Sequence, residues 1–211
     1  MKGRAGRMGY LTVKKQAQDE FIEKKSRFIG YIAPVKTAEE AAAFIAGIKQ
    51  KHWDATHNVW AYLLKDGQKR YSDDGEPQGT AGIPVLDVME KSGVVDICVV
   101  ATRYFGGILL GGGGLVRAYA HTAKIALDAA EKLEMTACKE LELTVDYSLY
   151  GKLNYLLPDY QVKMLHVDFG AEVTLRLLIK NEKVFQLEEM VRELTNGKST
   201  VSILGERFEA F

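Results

Sequence analysis

The chain holds only two cysteines and four prolines in 211 residues. Two cysteines make no disulfide framework, so a reducing compartment fits better than an oxidising one. Cys98 lies in the apolar run Val94 to Ala101, where a thiol behaves as a small hydrophobe. No stretch approaches 18 consecutive apolar residues, which excludes a membrane-spanning helix. The first ten residues carry Lys2, Arg4 and Arg7 but no apolar run behind them. They read as a frayed leader, or as a start placed upstream of Met8, and not as a secretory signal. A cytoplasmic protein is expected. Net charge is also missing: 28 Lys and Arg balance 28 Asp and Glu. That counts against a general nucleic-acid glue.

What is present is ordinary for a globular protein, 47% hydrophobic and 27% charged. The charge is uneven along the chain. Residues 1–136 carry a surplus of three positive charges and residues 137–211 a deficit of three; residues 1–36 alone hold nine Lys and Arg against three Asp and Glu. Polyanion contacts therefore fall to the first half, with a solvated basic face as the alternative.

The patterns predict two α+β domains, 1–136 and 137–211. In the first, Tyr10–Lys14 and Phe28–Val35 read as strands. Thr37-Ala38-Glu39-Glu40 is a capping box opening a helix with Ala41, Phe44, Ile45 and Ile48 on one face. His57–Leu64 and Lys69–Ser72 flank Asp66-Gly67, a hairpin signal. Thr80 is expected to cap a short helix reaching Lys91, ended by Gly93. Val94–Thr102 reads as a buried strand, and Leu115 to about Lys132 as a helix. A hinge is expected between Lys132 and Lys139. Beyond it, the alternations and helical spacings run β-α-β-β-α-β, the ferredoxin-like order.

Three features suggest function. The first is Gly106, Gly107 and Gly111, Gly112, Gly113, Gly114 between a strand and a helix, flanked by Arg103 and Arg117. Without Cβ atoms, backbone N–H groups can converge on a ligand at a helix N-terminus, where an anion is favoured, and guanidinium forks suit phosphate. The alternative is a turn whose glycines only permit tight packing. The segment is neither a P-loop nor a dinucleotide fingerprint. The second is the acidic loop with Asp73, Asp74 and Glu76, preceded by His57 on a strand. It could hold a hard cation, serve acid–base work, or be a polar turn. The two loops and His57 are expected to share one concave pocket. His52, His121 and His166 show no metal-ligand spacing with His57, and neither a resident metal nor a cofactor is implied. The third is a set of aromatics, Trp53, Trp60, Tyr62, Tyr71, Tyr104, Phe105 and Tyr119, either core or base-stacking.

Two stretches together, Asp73-Asp74-Gly75-Glu76-Pro77-Gln78-Gly79-Thr80-Ala81-Gly82 and Arg103 through Tyr119, resemble the two signatures of the YigZ/IMPACT family, and the resemblance spans nearly the whole chain. It implies a first domain with the fold of the second domain of ribosomal protein S5, and a ferredoxin-like second domain similar to the C-terminal domain of elongation factor G. It also implies a role in translation, since eukaryotic members regulate it. Those members place an RWD domain before the shared one, and this sequence shows none. The leading expectation is a translation-associated binding protein contacting RNA, the ribosome or a translation factor. The alternatives are an enzyme acting on a small phosphorylated compound and a pure protein-interaction module. No activated nucleophile supports the enzyme.

Overall fold

The computed structural model describes residues 9–211; the leader reading for residues 1–8 lies outside them. The protein is α+β with two antiparallel sheets, and the described chain divides into two compact units at Glu134/Met135.

The first unit is built on a five-stranded sheet. Its strands are β2 (Ala17–Glu23), β3 (Ser26–Pro34), β4 (His57–Leu63), β5 (Lys69–Ser72) and β6 (Ile97–Tyr104), ordered β2-β3-β6-β4-β5 and antiparallel throughout. β1 (Tyr10–Val13) is not part of this sheet; it is hydrogen-bonded to β7 (Lys132–Val145), and Leu11 bridges Val94. The strand pattern alternates, so each strand feeds two cores. On one face, α1 (Ala38–Lys51) sets Ala41, Ile45 and Ile48 against Ile29, Tyr31, Tyr62, Cys98 and Val100. On the other, α2 (Gly82–Ser92) and α3 (Gly112–Ala129) pack Val85, Met89, Leu115 and Tyr119 against Phe28, Val59, Val99 and Ala101. The Thr37 cap forms as expected, its hydroxyl accepting from Glu40 N–H, while the Glu40 carboxylate reaches one residue past the cap to accept from Lys36 N–H.

Register then sets the site. His57 and Phe28 both pair with Arg103, one on each side of β6. Trp60 pairs with Ser72, so β5 delivers the acidic loop to the end of the sheet where β4 begins and β6 finishes.

The second unit carries β7 (Lys132–Val145), α4 (Tyr147–Leu156), β8 (Lys163–Phe169), β9 (Val173–Lys180), α5 (Val184–Leu194) and β10 (Val201–Ala210). Its strands stand in the order β10-β7-β9-β8, all antiparallel. Leu141, Leu143, Leu175 and Leu177 on the sheet close over Leu153, Leu187 and Val191 on the helices.

Three local expectations are corrected. Thr80 does not cap α2; its hydroxyl turns back to the Pro77 carbonyl, and the distant Asp73 carboxylate does the capping. α3 stops at Ala129 rather than Lys132. The chain does divide within Lys132–Lys139, where the hinge was expected, but the stretch is no linker. It is the opening of the continuous strand β7, whose backbone is held from Met135 onward by β10 and from Cys138 by β9. One strand was also unforeseen. β2 has only Ala17, Phe21 and Ile22 among polar residues, the pattern of an edge with one face in water.

Candidate functional site

The acidic loop is assembled by internal bonds. Asp73 accepts N–H donors from Gly79 (2.9 Å), Ala81 (3.1 Å) and Gly82 (2.8 Å), stitching the loop to the start of α2. Asp74 accepts from Asn58 N–H at 2.7 Å and pairs with Lys49 Nζ at 2.6 Å. Its left-handed backbone (φ 46°), followed by Gly75 at φ 88°, aims its carbonyl at His57 Nδ1, 2.8 Å away. A carbonyl only accepts, so Nδ1 carries the proton and Nε2 faces Glu76 Oε1 at 3.8 Å, beyond hydrogen-bond reach.

Glu76 is the buried centre of this end of the sheet. Its Oε1 accepts from Arg103 Nη1 and from the Tyr119 hydroxyl, each at 2.7 Å. Burial, then the Glu76 charge, pushes the Tyr119 phenol far up, so it stays a donor. Arg103 is only 5% exposed, and its guanidinium lies 5.4 Å from the Phe28 ring centroid and 5.3 Å from that of Phe105. Nη2 reaches Ser26 Oγ at 3.4 Å; among the described residues Nε has no hydrogen-bond partner. Arg103 is thus beneath the glycine-rich segment and spent on Glu76, not displayed beside it.

The glycine-rich segment itself splits by role. A Cβ at Gly106 would sit 2.0 Å from the Lys25 carbonyl, so this residue lets the β6–α3 loop press on the β2–β3 turn. Gly107 and Gly111 occupy left-handed backbone, φ 84° and 73°. α3 begins at Gly112, three residues before its apolar pattern. Its first intrahelical bond runs from Leu115 N–H to the Gly111 carbonyl at 2.9 Å. The N–H groups of Gly112, Gly113 and Gly114 therefore have no carbonyl behind them in the helix. The Arg117 guanidinium folds back over this turn, with Nη1 3.7 Å from where a Cβ on Gly113 would be. Arg117 is exposed and makes no ion pair with a described residue.

A recess of about 230 Å³ opens there, lined by Phe21, Glu23, Lys24, Leu110, Gly114, Arg117, Ala118 and His121. It includes no residue of the acidic loop, and neither His57 nor Arg103. The structure brings His57, Asp73, Asp74 and Glu76 together as one polar cluster. It joins that cluster to α3 from below, through Tyr119, rather than through the expected common pocket. Among the described residues no group of three His, Cys, Asp or Glu is arranged to hold a metal. Phe21 was not singled out by sequence, and His121 was weighed only as a metal ligand. Lys24 belongs, with Lys14, Lys15, Lys25 and Arg27, to the basic N-terminal concentration expected to meet a polyanion, and it sits in a turn with Lys25 at φ 45° and 64°.

Residues 24–127 match the Impact N-terminal domain, and residues 143–198 match a domain of unknown function, DUF1949. The chain is 39% identical to the IMPACT family member YvyE of Bacillus subtilis, over 91% of this chain and 89% of that one. The chain belongs to the IMPACT/YigZ family. The Escherichia coli member YigZ is 37% identical over 82% of this chain and 87% of its own. A crystal structure of a hypothetical protein superposes with a TM-score of 0.63 at 33% identity, covering 94% of this chain and 98% of that one. Both halves of the candidate site, the acidic loop and the glycine-rich segment, fall inside the Impact N-terminal match. No helix among the described residues is long and apolar enough to cross a membrane.

Proposed function

We propose that this protein is a translation-associated binding protein of the cytoplasm whose first unit holds a phosphate group of RNA at the glycine-rich turn. The observation that carries the reading is the first turn of α3. Three successive glycine N–H groups have no helical partner, the Arg117 guanidinium lies over Gly113, and Gly114 lines an open recess with Arg117 and Lys24. Helix-terminal donors and guanidinium forks both favour a phosphate oxygen. The carboxylates that would repel it are mostly committed inward: Asp73 to backbone N–H groups, Asp74 to Lys49, Glu76 to Arg103. Glu23 is the one acidic side chain lining the recess.

The family resemblance supports the translation setting. The strand order β10-β7-β9-β8 on a β-α-β-β-α-β chain supports a ferredoxin-like second unit, as in the C-terminal domain of elongation factor G. The first unit is proposed to share the fold of the second domain of ribosomal protein S5. A fold likeness alone licenses only analogy, so the test is made on the site.

Arg117→Ala is the test. A thermal melt should be unchanged, because Arg117 is exposed and carries no internal pair. Filter binding to RNA should weaken by about 1–3 kcal/mol if one charge-assisted contact is lost, with a shallower salt dependence. A lowered melting temperature with unchanged RNA affinity would make the glycine turn a structural element and overturn the reading.

A further inference from the structure

Three loops converge at the end of the sheet where β6 finishes, and each carries something that water does not want or a polyanion does. The first is the turn after α1. Trp53 stands there 83% exposed. That turn is fastened to the glycine-rich loop by Thr56, whose N–H donates to the Arg103 carbonyl at 2.9 Å and whose hydroxyl accepts from Phe105 N–H at 3.0 Å. The second is the β6–α3 loop, with Phe105 at 44% and Leu109 at 81% exposure. The third is the β2–β3 turn, where the Lys25 backbone lies against Gly106 and Lys24 and Lys25 make no ion pair among the described residues. Some exposed cations of the unit are paired, Lys14 with Glu131, Arg27 with Glu20 and Lys49 with Asp74, while others such as Lys15, Lys36 and Arg70 make no ion pair among the described residues. What sets Lys24 and Lys25 apart is the aromatic loop packed against their turn.

Phe105 differs from a side chain merely left outside. Its ring rests on the Arg103 guanidinium, and Arg103 is itself locked to Glu76. The buried polar cluster thereby acts as a plinth: it spends charge and hydrogen bonds to hold an aromatic ring at the surface. A ring braced at the surface, a second aromatic exposed on the turn fastened to it and unpaired lysines on the adjoining turn match a strand whose bases are unstacked and whose phosphates are near. In a duplex the base faces are hidden, and such a rim offers nothing beyond charge. Positive charge suits RNA and an acidic protein surface alike; the exposed aromatic rings beside it favour RNA, whose bases offer faces to stack on.

Resting on the RNA reading above, we propose that Trp53 and Phe105 form a stacking rim for single-stranded RNA, its phosphates held by Lys24, Lys25 and Arg117. The test uses the full chain with the second tryptophan removed, Trp60→Phe, so that Trp53 reports alone. A labelled 12-nucleotide single strand and a duplex of the same length are titrated by anisotropy, and Trp53 emission is followed in parallel. The single strand should bind more tightly than the duplex and quench Trp53. Phe105→Ala should weaken single-strand binding about tenfold and leave duplex binding unchanged. In the chain that keeps Trp60, Trp53→Ala should do the same and Trp53→Phe should restore it. Arg117→Ala should weaken both forms. If Arg117→Ala weakens RNA binding while the two aromatic variants do not, the stacking rim is overturned and the phosphate site stands. If neither RNA form binds, both readings fall. If the duplex binds as tightly as the single strand, or Trp53 emission does not change on binding, the rim is overturned.

Discussion

Removing the Glu76 carboxylate should unfold the first unit far more readily than its single hydrogen-bonding atom suggests. Glu76→Leu keeps roughly the volume and deletes the charge. Arg103 Nη1 and the Tyr119 hydroxyl, each 2.7 Å from the same oxygen, then lose their acceptor together. The Arg103 side chain is 6% exposed, so water cannot take over. Stranding one partner of a buried pair costs about 3–5 kcal/mol. For a unit the size of Tyr10–Glu134, each kcal/mol moves Tm by about 3–5 °C, so the drop should be about 10–20 °C. The sharper test is the cycle. Glu76→Leu with Arg103→Met removes both charges and should be markedly more stable than Glu76→Leu alone, short of wild type by the unpartnered Tyr119 hydroxyl, about 1–3 kcal/mol. Adding Tyr119→Phe should recover most of that. Differential scanning calorimetry on wild type, Glu76→Leu, Arg103→Met, the double and the triple variant supplies the numbers. A Glu76→Leu loss under about 1 kcal/mol, or a double variant as unstable as the sum of its singles, would refute the argument that burial of the pair sets the cost.

The glycines should separate by role. Gly106→Ala has no room against the Lys25 backbone and should cost about 1–3 kcal/mol or more in a urea melt. Gly112→Ala meets open space at ordinary helical φ and should stabilise by about 0.5–1 kcal/mol while weakening RNA binding, if its N–H holds phosphate. His52 gives a pH dependence. Its Nε2 lies 2.6 Å from the Tyr31 hydroxyl and its Nδ1 2.8 Å from that of Tyr104, and burial, then the Lys51 charge, holds its pKa below the ordinary histidine value. A folded value below the unfolded one means the unfolded chain binds the extra proton. The His52 contribution is therefore full above about pH 6.5 and is lost as pH falls from there through the folded value. A His52→Gln variant should show a flatter Tm profile between pH 7.5 and 5, and parallel profiles would sink the assignment. Burial raises the thiol pKa of both Cys98 and Cys138, so a disulfide-exchange reagent should label neither in the native protein and both in guanidinium.

Much of the fold was legible because hydrophobic period decides it locally. α1 announces itself with Thr37 and Glu40, and β9 by its alternation from Val173 to Ile179. What was hidden depends on partners distant in sequence. β2 exposes most of its residues, and only pairing with β3 makes it a strand. The α2 cap comes from Asp73, nine residues before Gly82, so no local signature marks it. The stretch near Lys132 lacks the proline or glycine of a linker, and its Leu133, Met135 and Ala137 alternate as β7 does. That alternation argues for a strand over a hinge.

The candidate site shows the same division more sharply. Spacing picked out both loops but left their roles open between ligand site and structural turn, and for Arg103 it is burial against Glu76 that decides. Arg103 and Arg117 look equivalent as the two arginines flanking six glycines. β6 carries Arg103 inward on the face shared with Val99 and Ala101, where a lone guanidinium cannot stay uncompensated, and Glu76 is drawn in to meet it. Arg117 stands one turn into α3 on the solvent side, with no carboxylate claiming it. The acidic loop is thereby a structural clasp whose charges face inward, which leaves Arg117 and Lys24 beside the glycine turn without a carboxylate partner among the described residues. A neutral chain can present a basic surface in this way: net charge counts every residue, whereas an incoming phosphate meets only those that the fold has left unpaired.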